Sequence, residues 1–321
     1  MGEGKYLNNS KTKIISIVGP TASGKTKLSI ALAEKFNGEI ISADSMQVYK
    51  EYNILSAKPN KKDLSKISHH LIDILSVDET FSVAEFVKLA RECISDISGR
   101  YKLPFLVGGT GLYLDSLIKN IDYECSSSDI ETNTEISKFK SLSNNELMSI
   151  LLEVDKKTAE KIHINDTKRL LRAVEFFHTT GYPISQQVER SLKAERLYDV
   201  CKIGLNFSNR DLLYNQINLR VDEMFKDGIV QEVKNIESNY KPSKTAQAAI
   251  GYKELINYIN SKETLENTCE NLKMVTRRYA KRQLTWFRRD KEINWINIDD
   301  FRDFSEVICY AENIIKKFVD E

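Results

Sequence analysis

The chain has 321 residues, which is enough for two domains or one large domain with a substantial buried core. Hydrophobic residues make up 41% and charged residues 29%, as in an ordinary globular protein, and 47 basic against 46 acidic residues leave the net charge uninformative about partners. Five scattered cysteines without a C-x-x-C pair, and four histidines without metal-ligand spacing, exclude a disulfide framework and a zinc finger. The polar N-terminus and the lack of a membrane-length apolar run predict a cytoplasmic protein that does not contact a membrane.

The first predicted elements are a short apolar strand at 14–18, a glycine-rich loop and a helix. The loop has the spacing G-x-x-x-x-G-K-[ST], in which glycines let backbone amides turn inward towards a phosphate. Lys25 supplies a positive charge and Thr26 a hydroxyl for Mg²⁺, while the helix N-terminus adds a partial positive charge. The alternative is a glycine-rich turn with a chance lysine. We predict a di- or triphosphate site in this phosphate loop, made of Gly19, Pro20, Thr21, Ala22, Ser23, Gly24, Lys25 and Thr26.

A second strand at 39–43 ends in a polar cluster that begins Asp44-Ser45-Met46-Gln47. Ligands of open α/β sheets bind at the carboxyl ends of the strands, so this cluster should face the phosphate loop. Asp44 is the candidate general base for a nucleophile above the bound phosphate, and a turn-capping aspartate is the alternative. The amide of Gln47 offers a donor and an acceptor, which suits the edge of a nucleobase.

Strands and helices continue to alternate up to residue 120. A strand at 70–75 precedes a helix at 83–97, and a strand at 103–107 precedes a helix at 112–118. The helix at 83–97 begins with a capping box of Ser82 and Glu85, and the strand before residue 108 runs into a second glycine turn, Gly108-Gly109-Thr110-Gly111. This alternation predicts an α/β fold with a P-loop-type, doubly wound parallel sheet.

Two missing sequence features restrict the reactions that the phosphate loop can serve. The strand before the glycine turn lacks the acidic residue that an ATPase usually places there, and no guanine-reading N-K-x-D motif occurs. Asp73 and Asp78 remain possible substitutes for the missing acid.

The strand signal stops near residue 120, and helical patterns follow. The clearest of these runs from 166 to 178, capped by Asn165 or Asp166 and ended by Gly181. Strand character returns at 201–207, and long helices are predicted at 210–226, at 231–238 and from 247 to the end. We therefore predict a loose lead-in, a catalytic core and an all-helical insertion domain. Their bounds are 1–12 for the lead-in, 13–120 and 201–321 for the core, and 121–200 for the insertion.

A basic segment at 273–289 carries seven basic residues and no acidic one. A solvated helix normally mixes both signs, whereas a one-signed stripe with interleaved aromatic residues suits a phosphate backbone. The alternative is a helix whose arginines pair with acids elsewhere. A smaller basic patch in the insertion consists of Lys168, Arg169 and Arg172. Together with the phosphate loop, these surfaces indicate a large polyanionic second substrate.

Several sequence blocks together resemble the tRNA dimethylallyltransferase (tRNA isopentenyltransferase) family. The blocks keep the family's order and lie at 19–26, 44–49, 108–113, 164–172, 249–254 and 281–288. The zinc finger of eukaryotic relatives is absent, which indicates the bacterial type. Two departures concern single tRNA contacts: 129–138 lacks an arginine that the family often has, and Lys168 stands where glutamine or arginine is commoner.

The resemblance implies transfer of a dimethylallyl group from its diphosphate to the N6 amine of the adenosine immediately 3′ of the anticodon, in tRNAs reading codons that begin with U. The phosphate loop would hold the diphosphate leaving group with Mg²⁺, assisted by Arg220. Asp44 would accept hydrogen from the amine, Thr110 would contact the substrate at the reaction centre, and Gln47 would read the flipped adenine. The enzyme is expected to act as a monomer.

The resemblance further implies that residues of the core and of the insertion bind the tRNA anticodon stem-loop. They are Asp44, Ser45, Met46, Gln47, Thr110, Lys168, Arg169, Arg172, Gly251, Tyr252, Arg277, Arg278, Lys281, Arg282, Gln283, Trp286 and Arg288.

Three other functions remain as alternatives. A P-loop kinase of a small metabolite would explain the phosphate loop but not the basic segment. A non-enzymatic RNA-binding protein would explain the basic segment and leave the loop vestigial. Prenylation of free adenine nucleotides would leave both the basic segment and the long insertion unexplained.

Overall fold

The structure is a computed structural model and describes residues 11–121, 138–193 and 195–321, with only the backbone described at Leu192. The predicted lead-in at 1–12 therefore lies outside the described residues except for its last two, and the arginine-free segment at 129–138 lies outside them except for Lys138. The described chain forms two compact units. The first comprises 11–81, 86–114 and 198–321, and the second comprises 82–85 and the described parts of 115–197.

The first unit is built on one parallel sheet, as the alternating pattern predicts. Within the described residues the sheet has six strands, in the order β3-β2-β4-β1-β5-β6. The strands are β1 (Thr12–Val18), β2 (Gly38–Ser42), β3 (His69–His70), β4 (Leu103–Gly108), β5 (Tyr198–Asn206) and β6 (Asn294–Asn297). The predicted α/β fold class is confirmed.

Thirteen α-helices occur in the described ranges. In chain order they are α1 (Lys25–Lys35), α2 (Lys61–Lys66), α3 (Val83–Gly99), α4 (Gly111–Ile118), α5 (Asn144–Val154), α6 (Lys156–Ala159), α7 (Thr167–Thr180), α8 (Ile184–Lys193), α9 (Arg210–Lys226), α10 (Ile229–Asn239), α11 (Tyr252–Ile259), α12 (Leu265–Phe287) and α13 (Phe304–Asp320).

The central strands are buried along nearly their whole length, because helices cover the sheet. Ile15 and Ile17 of β1 belong to a core that also contains Leu28 and Leu32 of α1 and Val307 of α13. Such continuous apolar runs are typical of strands in the middle of a parallel sheet. The core therefore fixes the strands whose ends carry the candidate site.

The strand register brings three loops to one edge of the sheet. Val18 of β1 lies opposite Gly108 of β4, and Val107 lies opposite Ser42 of β2. Because all three strands are parallel, the loops that leave their carboxyl ends emerge side by side. These loops are the phosphate loop, the polar cluster that begins at Asp44 and the glycine turn (residues 108–111).

Two element predictions are wrong in extent. The strand expected at 70–75 is only His69–His70, because Leu71 and Asp73 take positive φ angles of 60° and 57° and break the extended backbone. The helix expected from 247 to the end is in fact α11, α12, the edge strand β6 and α13. Ile296 of β6 is buried against β5, and Asp303 caps the start of α13 through the N–H groups of the next turn.

The predicted capping box at the start of α3 is confirmed. The backbone N–H of Ser82 donates to the Glu85 carboxylate at 2.7 Å, and the Glu85 N–H donates to the Ser82 hydroxyl at 3.2 Å. Both otherwise unpaired donors of the first turn are thereby satisfied.

The second unit contains helices, and no strand, among its described residues. Helices α5 and α7 share an apolar core with members such as Leu147, Leu151, Leu170 and Val174. The predicted caps of α7 are confirmed, since Asp166 caps its start and Gly181, with φ of 77°, ends it, although the helix extends two residues beyond the predicted end at residue 178. Across the described ranges, no helix combines the length and apolar character needed to cross a bilayer.

Candidate active site

The phosphate loop has the backbone shape that an anion cradle requires. Gly19 and Gly24 have positive φ angles of 147° and 80°, and α1 begins directly after Gly24. A Cβ on Gly19 would lie 2.6 Å from the carbonyl oxygen of Leu205, so a larger residue does not fit there. The buried Ser23 hydroxyl donates to the Pro20 carbonyl at 2.8 Å and braces the loop. The loop thus leads into a helix N-terminus, which favours a bound phosphate.

Two cationic side chains lie at this loop. Lys25 Nζ donates to the carbonyl oxygens of Gly19 at 3.0 Å and Pro20 at 2.7 Å, and Arg220 of α9 donates to Thr21 Oγ1 at 3.1 Å. Burial, reinforced by the positive charge of Arg220, lowers the pKa of Lys25 to about 7. Two mutually repelling cations in a partly buried site favour the binding of a multivalent anion such as diphosphate.

Thr26 is the predicted Mg²⁺ ligand and lies half-buried in the first turn of α1. The described residues contain no cluster of three or more His, Cys, Asp or Glu side chains suited to a metal ion. A single hydroxyl beside a phosphate loop fits a Mg²⁺ ion that takes most of its oxygen ligands from a bound diphosphate and from water.

Asp44 follows the end of β2 and lies close to both cations. Its Oδ1 accepts from the backbone N–H of Met46 at 2.9 Å and of Gln47 at 3.4 Å, so Asp44 does cap its own turn. Burial raises the pKa of Asp44, and these N–H groups, together with the charges of Lys25 and Arg220, oppose that rise without cancelling it. A carboxylate with a raised pKa is a stronger base than an ordinary aspartate, which suits proton abstraction near neutral pH.

Thr110 is held against the Asp44 turn by backbone contacts. Its N–H donates to the Ala43 carbonyl at 3.2 Å, and its hydroxyl accepts from the Ser45 N–H at 3.2 Å. The preceding Gly108 lies so close to Ala43 that a Cβ there would be 2.1 Å from the carbonyl oxygen. The ends of β2 and β4 therefore bring together Asp44 and Thr110, the two predicted catalytic residues.

Gln47 lies in the same loop, and its amide is oriented by a neighbour. The Ser42 hydroxyl donates to Gln47 Oε1 at 3.0 Å. Two residues further on, the Tyr49 hydroxyl lies 2.9 Å from the Thr245 hydroxyl, which ties this loop to the segment before Gly251. The loop predicted to read the adenine is thus connected to a second segment predicted to bind RNA.

Tyr279 of α12 joins this site, although the sequence did not single it out. Burial and the charge of Asp44 raise the pKa of its hydroxyl, whereas hydrogen bonding to Thr110 and Gln283 opposes the rise. The hydroxyl is therefore close to both predicted catalytic residues. The only signal in the sequence is its position one helical turn before Gln283.

The basic segment presents an exposed cationic surface. Arg278, Lys281, Arg282 and Arg288 are exposed or half-exposed, and no acidic side chain among the described residues pairs with them. Arg277 differs, because it is half-buried and donates to the Asn218 side chain at 2.6 Å. The alternative in which the arginines pair with acids elsewhere therefore does not hold for these four residues.

Three other residues of the first unit that were predicted to bind RNA are buried. Gly251 and Tyr252 are buried at the start of α11, where the Tyr252 hydroxyl donates to Glu237. Gln283 is buried on α12, whereas Trp286 of the same helix is more accessible. Their contact with RNA stays a prediction.

An open cavity of about 340 Å³ lies next to Gly251. Its lining includes residues 247–251 and the side chains of Arg278 and Arg282. Two of the cations of α12 therefore border a concave surface rather than a flat one.

In the second unit, the basic patch lies on α7. Lys168 and Arg169 are exposed, and Arg169 lies 3.4 Å from Asp166. The half-buried Arg172 places its guanidinium 5.9 Å from the ring centre of Phe176. Two of the three predicted contacts on this helix are therefore open to solvent.

The chain is similar to known proteins over most of its length. Residues 47–290 match the family model described as IPP transferase. The tRNA dimethylallyltransferase of Thermoanaerobacter sp. (strain X514) is 47% identical over 311 residues, which cover 95% of this chain and 96% of that protein.

Two solved structures are similar as well. The tRNA delta(2)-isopentenylpyrophosphate transferase of Staphylococcus epidermidis superposes with a TM-score of 0.70 at 42% identity, over 96% of this chain and 100% of that one. A eukaryotic dimethylallyltransferase acting on tRNA superposes with a TM-score of 0.81 at 30% identity, over 95% of this chain and 80% of the other. Since the similarity reaches from the phosphate loop through the basic segment, the chain belongs to the IPP transferase family.

Proposed function

We propose that the protein transfers a dimethylallyl group from dimethylallyl diphosphate to the N6 amine of the adenosine immediately 3′ of the anticodon, in tRNAs reading codons that begin with U. The observation that carries this proposal is the placement of one carboxylate, Asp44, beside a cationic phosphate loop. A small-molecule kinase would have no use for the exposed cationic surface of α12. The names of the relatives, which are tRNA dimethylallyltransferases, support the same reaction.

On the donor side, the phosphate loop stabilises the leaving group. Lys25, Arg220 and the N-terminus of α1 offset the negative charge that grows on the diphosphate oxygen as the carbon–oxygen bond breaks. Mg²⁺, held by Thr26 and the diphosphate itself, would supply further positive charge there.

On the acceptor side, Asp44 takes up the proton. The adenine nitrogen forms the new bond to the dimethylallyl carbon, the electron pair of the broken bond leaves with diphosphate, and the amine proton passes to the Asp44 carboxylate. Thr110, which is fixed by Ala43 and Ser45, is proposed to contact the reacting amine. Removing such a base typically lowers the rate by about 100- to 10,000-fold.

The adenine must leave its stack before it can reach Asp44. That extrusion costs a few kcal/mol, which contacts to the RNA backbone have to offset. The side chains of Arg278, Lys281, Arg282 and Arg288 are proposed to make these contacts in the core. Lys168, Arg169 and Arg172 are proposed to make them in the helical insertion.

A direct assay tests the proposed function. The protein is incubated with dimethylallyl diphosphate, Mg²⁺ and unmodified tRNA, and the nucleosides of the digested tRNA are analysed by mass spectrometry. We expect prenylated adenosine with the wild type and at least about 100-fold less with Asp44→Asn. An absence of prenylated adenosine, or phosphate transfer from ATP without tRNA, would overturn the proposal.

A further inference from the structure

Gln283 directly connects the phosphate loop to the glycine turn through hydrogen bonds at both ends of its amide. It lies on α12 and is only 5% exposed. Its Oε1 accepts from the Thr21 N–H at 2.9 Å, and its Nε2 donates to the Gly109 carbonyl at 3.0 Å. A backbone N–H can only donate and a carbonyl can only accept, so these partners fix the orientation of the amide.

The glycine turn is shaped to receive this amide. A Cβ on Gly109 would lie 2.1 Å from Gln283 Nε2, and a Cβ on Gly111 would lie 2.3 Å from Trp286 Cδ1. Side chains of α12 therefore lie directly on both glycines, and a larger residue at either position would displace the Gln283 amide or the Trp286 ring. Thr110 stands between them, so α12 packs against both sides of the residue that contacts the reaction centre.

The residues that Gln283 contacts are linked by further hydrogen bonds to the diphosphate side and to the amine side of the site. On the diphosphate side, the Thr21 hydroxyl accepts from Arg220 at 3.1 Å. On the amine side, Thr110, which follows Gly109, accepts from the Ser45 N–H next to Asp44. Gln283 thus lies at the junction between the group that holds the leaving diphosphate and the groups that receive the amine.

We propose that Gln283 is a positioning residue that sets the distance between the diphosphate cradle and the Asp44–Thr110 pair, instead of being an RNA contact. This inference rests on the proposed function and adds a role within the same site. A transfer reaction needs donor carbon and acceptor nitrogen held in line, and small displacements of either cost large factors in rate. The same helix carries the exposed cations Lys281 and Arg282 immediately before Gln283. Its exposed face would therefore bind RNA, and its buried face would align the donor.

Burial argues against a direct RNA contact of Gln283. RNA would have to displace two well-formed hydrogen bonds and leave the Thr21 N–H and the Gly109 carbonyl without partners. Unpaired buried groups of this kind cost about 1–3 kcal/mol each. The exposed neighbours Lys281 and Arg282 can reach RNA without that penalty.

The test compares Gln283→Met with Arg282→Gln, its exposed neighbour. Methionine keeps the size of the side chain but removes the hydrogen bonds to Thr21 and Gly109, together with the one to Tyr279. Three quantities are measured: the affinity for inorganic diphosphate with Mg²⁺ by calorimetry, the affinity for unmodified tRNA, and kcat and KM for dimethylallyl diphosphate. In Gln283→Met we expect diphosphate affinity to fall about 10- to 100-fold, and kcat/KM to fall at least as much, with tRNA affinity within about threefold. Arg282→Gln should show the reverse, with weaker tRNA binding and unchanged diphosphate affinity.

A second variant tests the same contact from the other side. Gly109→Ala places a methyl group where the amide now lies, so it should weaken diphosphate binding to a similar degree while Gln283 remains in the chain. In the double variant Gly109→Ala/Gln283→Met the two losses should not add, because both remove one contact. Thermal unfolding is recorded for each variant, and all titrations are made well below the lowest midpoint.

The outcomes separate this inference from the proposed function. Weaker tRNA binding with unchanged diphosphate affinity in Gln283→Met would make Gln283 an RNA contact and overturn the inference, and so would no change in either. If the wild type makes no prenylated tRNA but Gln283→Met still loses diphosphate affinity, the proposed function fails, and only the support that Gln283 gives to the diphosphate cradle is established. If the wild type is active and Gln283→Met binds diphosphate normally, only the inference fails.

Discussion

At the scale of single residues, the site depends on a carboxylate kept basic among cations. Burial raises the pKa of Asp44, while Lys25 and Arg220 lower it by a smaller amount. The same burial, with the charge of Arg220, lowers the pKa of Lys25 to about 7. The pKa values of Lys25 and Asp44 therefore each depend on the charges around them, and a bound diphosphate would change both values.

The pH dependence of the reaction follows from this balance. As the proposed base, Asp44 must be ionised to accept a proton, so we expect activity to fall as the pH drops through its raised pKa, at a higher pH than the value of about 3.9 for an ordinary aspartate. A bound diphosphate would neutralise Lys25 and Arg220 and remove their lowering effect on the pKa of Asp44. We therefore expect the acid limb of kcat, which reports the complex, to lie at higher pH than the acid limb of kcat/KM, which reports the free enzyme.

The profile is measured by prenylated-tRNA formation across the acid range, with tRNA saturating and dimethylallyl diphosphate varied. Asp44→Glu serves as the control, because it keeps a carboxylate and should keep an acid limb at a shifted position. If kcat and kcat/KM fall at the same acid pH, bound diphosphate does not change the pKa of Asp44.

Glycines at strand ends also act at the residue scale. Gly108 ends β4 where the backbone of Ala43 approaches, and a Cβ at Gly108 would lie 2.1 Å from the Ala43 oxygen. Neither backbone can retreat without disturbing the register that joins β2 to β4. Gly99, at the end of α3, is the matched control, because a Cβ added there would meet no atom within 4 Å.

We therefore expect Gly108→Ala to lower the free energy of unfolding by about 1–3 kcal/mol, as overpacking does. Gly99→Ala should change it by less than about 1 kcal/mol. Urea denaturation followed by circular dichroism measures both. Equal effects of the two substitutions would mean that the close approach of Ala43 is not what excludes a side chain at Gly108.

At the scale of elements, a buried carboxylate holds the opposite edge of the sheet together. Glu39 of β2 accepts from Arg100 at 2.5 and 2.8 Å and from Lys102 at 2.7 Å, both in the turn before β4. It also lies 2.7 Å from His70 of β3. Hydrogen bonding from Arg100 lowers the pKa of Glu39 despite its burial. One side chain thus ties three neighbouring strands at their amino-terminal side.

Removing this carboxylate should loosen the sheet. We expect Glu39→Ala to lower the free energy of unfolding by about 1.5–3 kcal/mol near neutral pH, the usual contribution of hydrogen bonds to a charged group, because the Arg100 and Lys102 side chains left behind are partly exposed. Arg302→Ala is the control, because Arg302 is 91% exposed beside Glu306 and such surface pairs contribute about 0–1 kcal/mol.

The lowered pKa of Glu39 also determines how the stability difference between the wild type and Glu39→Ala changes with pH. Because the folded pKa of Glu39 is lowered, its stabilisation is complete above the unfolded value of about 4.3 and is lost as the pH falls towards the folded pKa. The gap between wild type and Glu39→Ala, measured by chemical denaturation, should therefore shrink below about pH 4. A gap that stays constant into acid would mean that packing, not charge, accounts for the loss.

The elements also show what sequence patterns can and cannot predict. The positions of the phosphate loop and of Asp44 at the carboxyl edge of the sheet were predictable, because they depend on local spacing and on the order of strands and helices. The inward positions of Gln283 and Tyr279 were not, since they depend on which face of α12 meets the glycine turn. Strand β6 was missed because an edge strand of four residues leaves too short a pattern between two strong helices.

At the scale of the whole molecule, lysines and arginines lie at both edges of the sheet in the first unit. The exposed cations of α12 belong to the helix that packs on the glycine turn, at the carboxyl edge of the sheet. Lys316 and Lys317 of α13 lie towards the amino edge, where Lys13 at the start of β1 donates to the carbonyl of Phe318 at 2.8 Å. The nearly neutral net charge therefore hides a local cationic surface.

This separation predicts how tRNA binding responds to salt. Each cation that neutralises an RNA phosphate adds about 0.7–0.9 to the magnitude of the slope of log K against log salt. The double variant Arg278→Gln/Lys281→Gln should therefore bind tRNA more weakly and reduce that magnitude by about 1.4–1.8. Lys316→Gln/Lys317→Gln removes the same charge at the opposite edge and should leave the slope within about 0.3 of the wild type. The slopes are measured by fluorescence anisotropy with labelled, unmodified tRNA across a series of salt concentrations. If both double variants shift the slope equally, net charge alone attracts the RNA; if neither does, the exposed face of α12 does not meet the phosphate backbone.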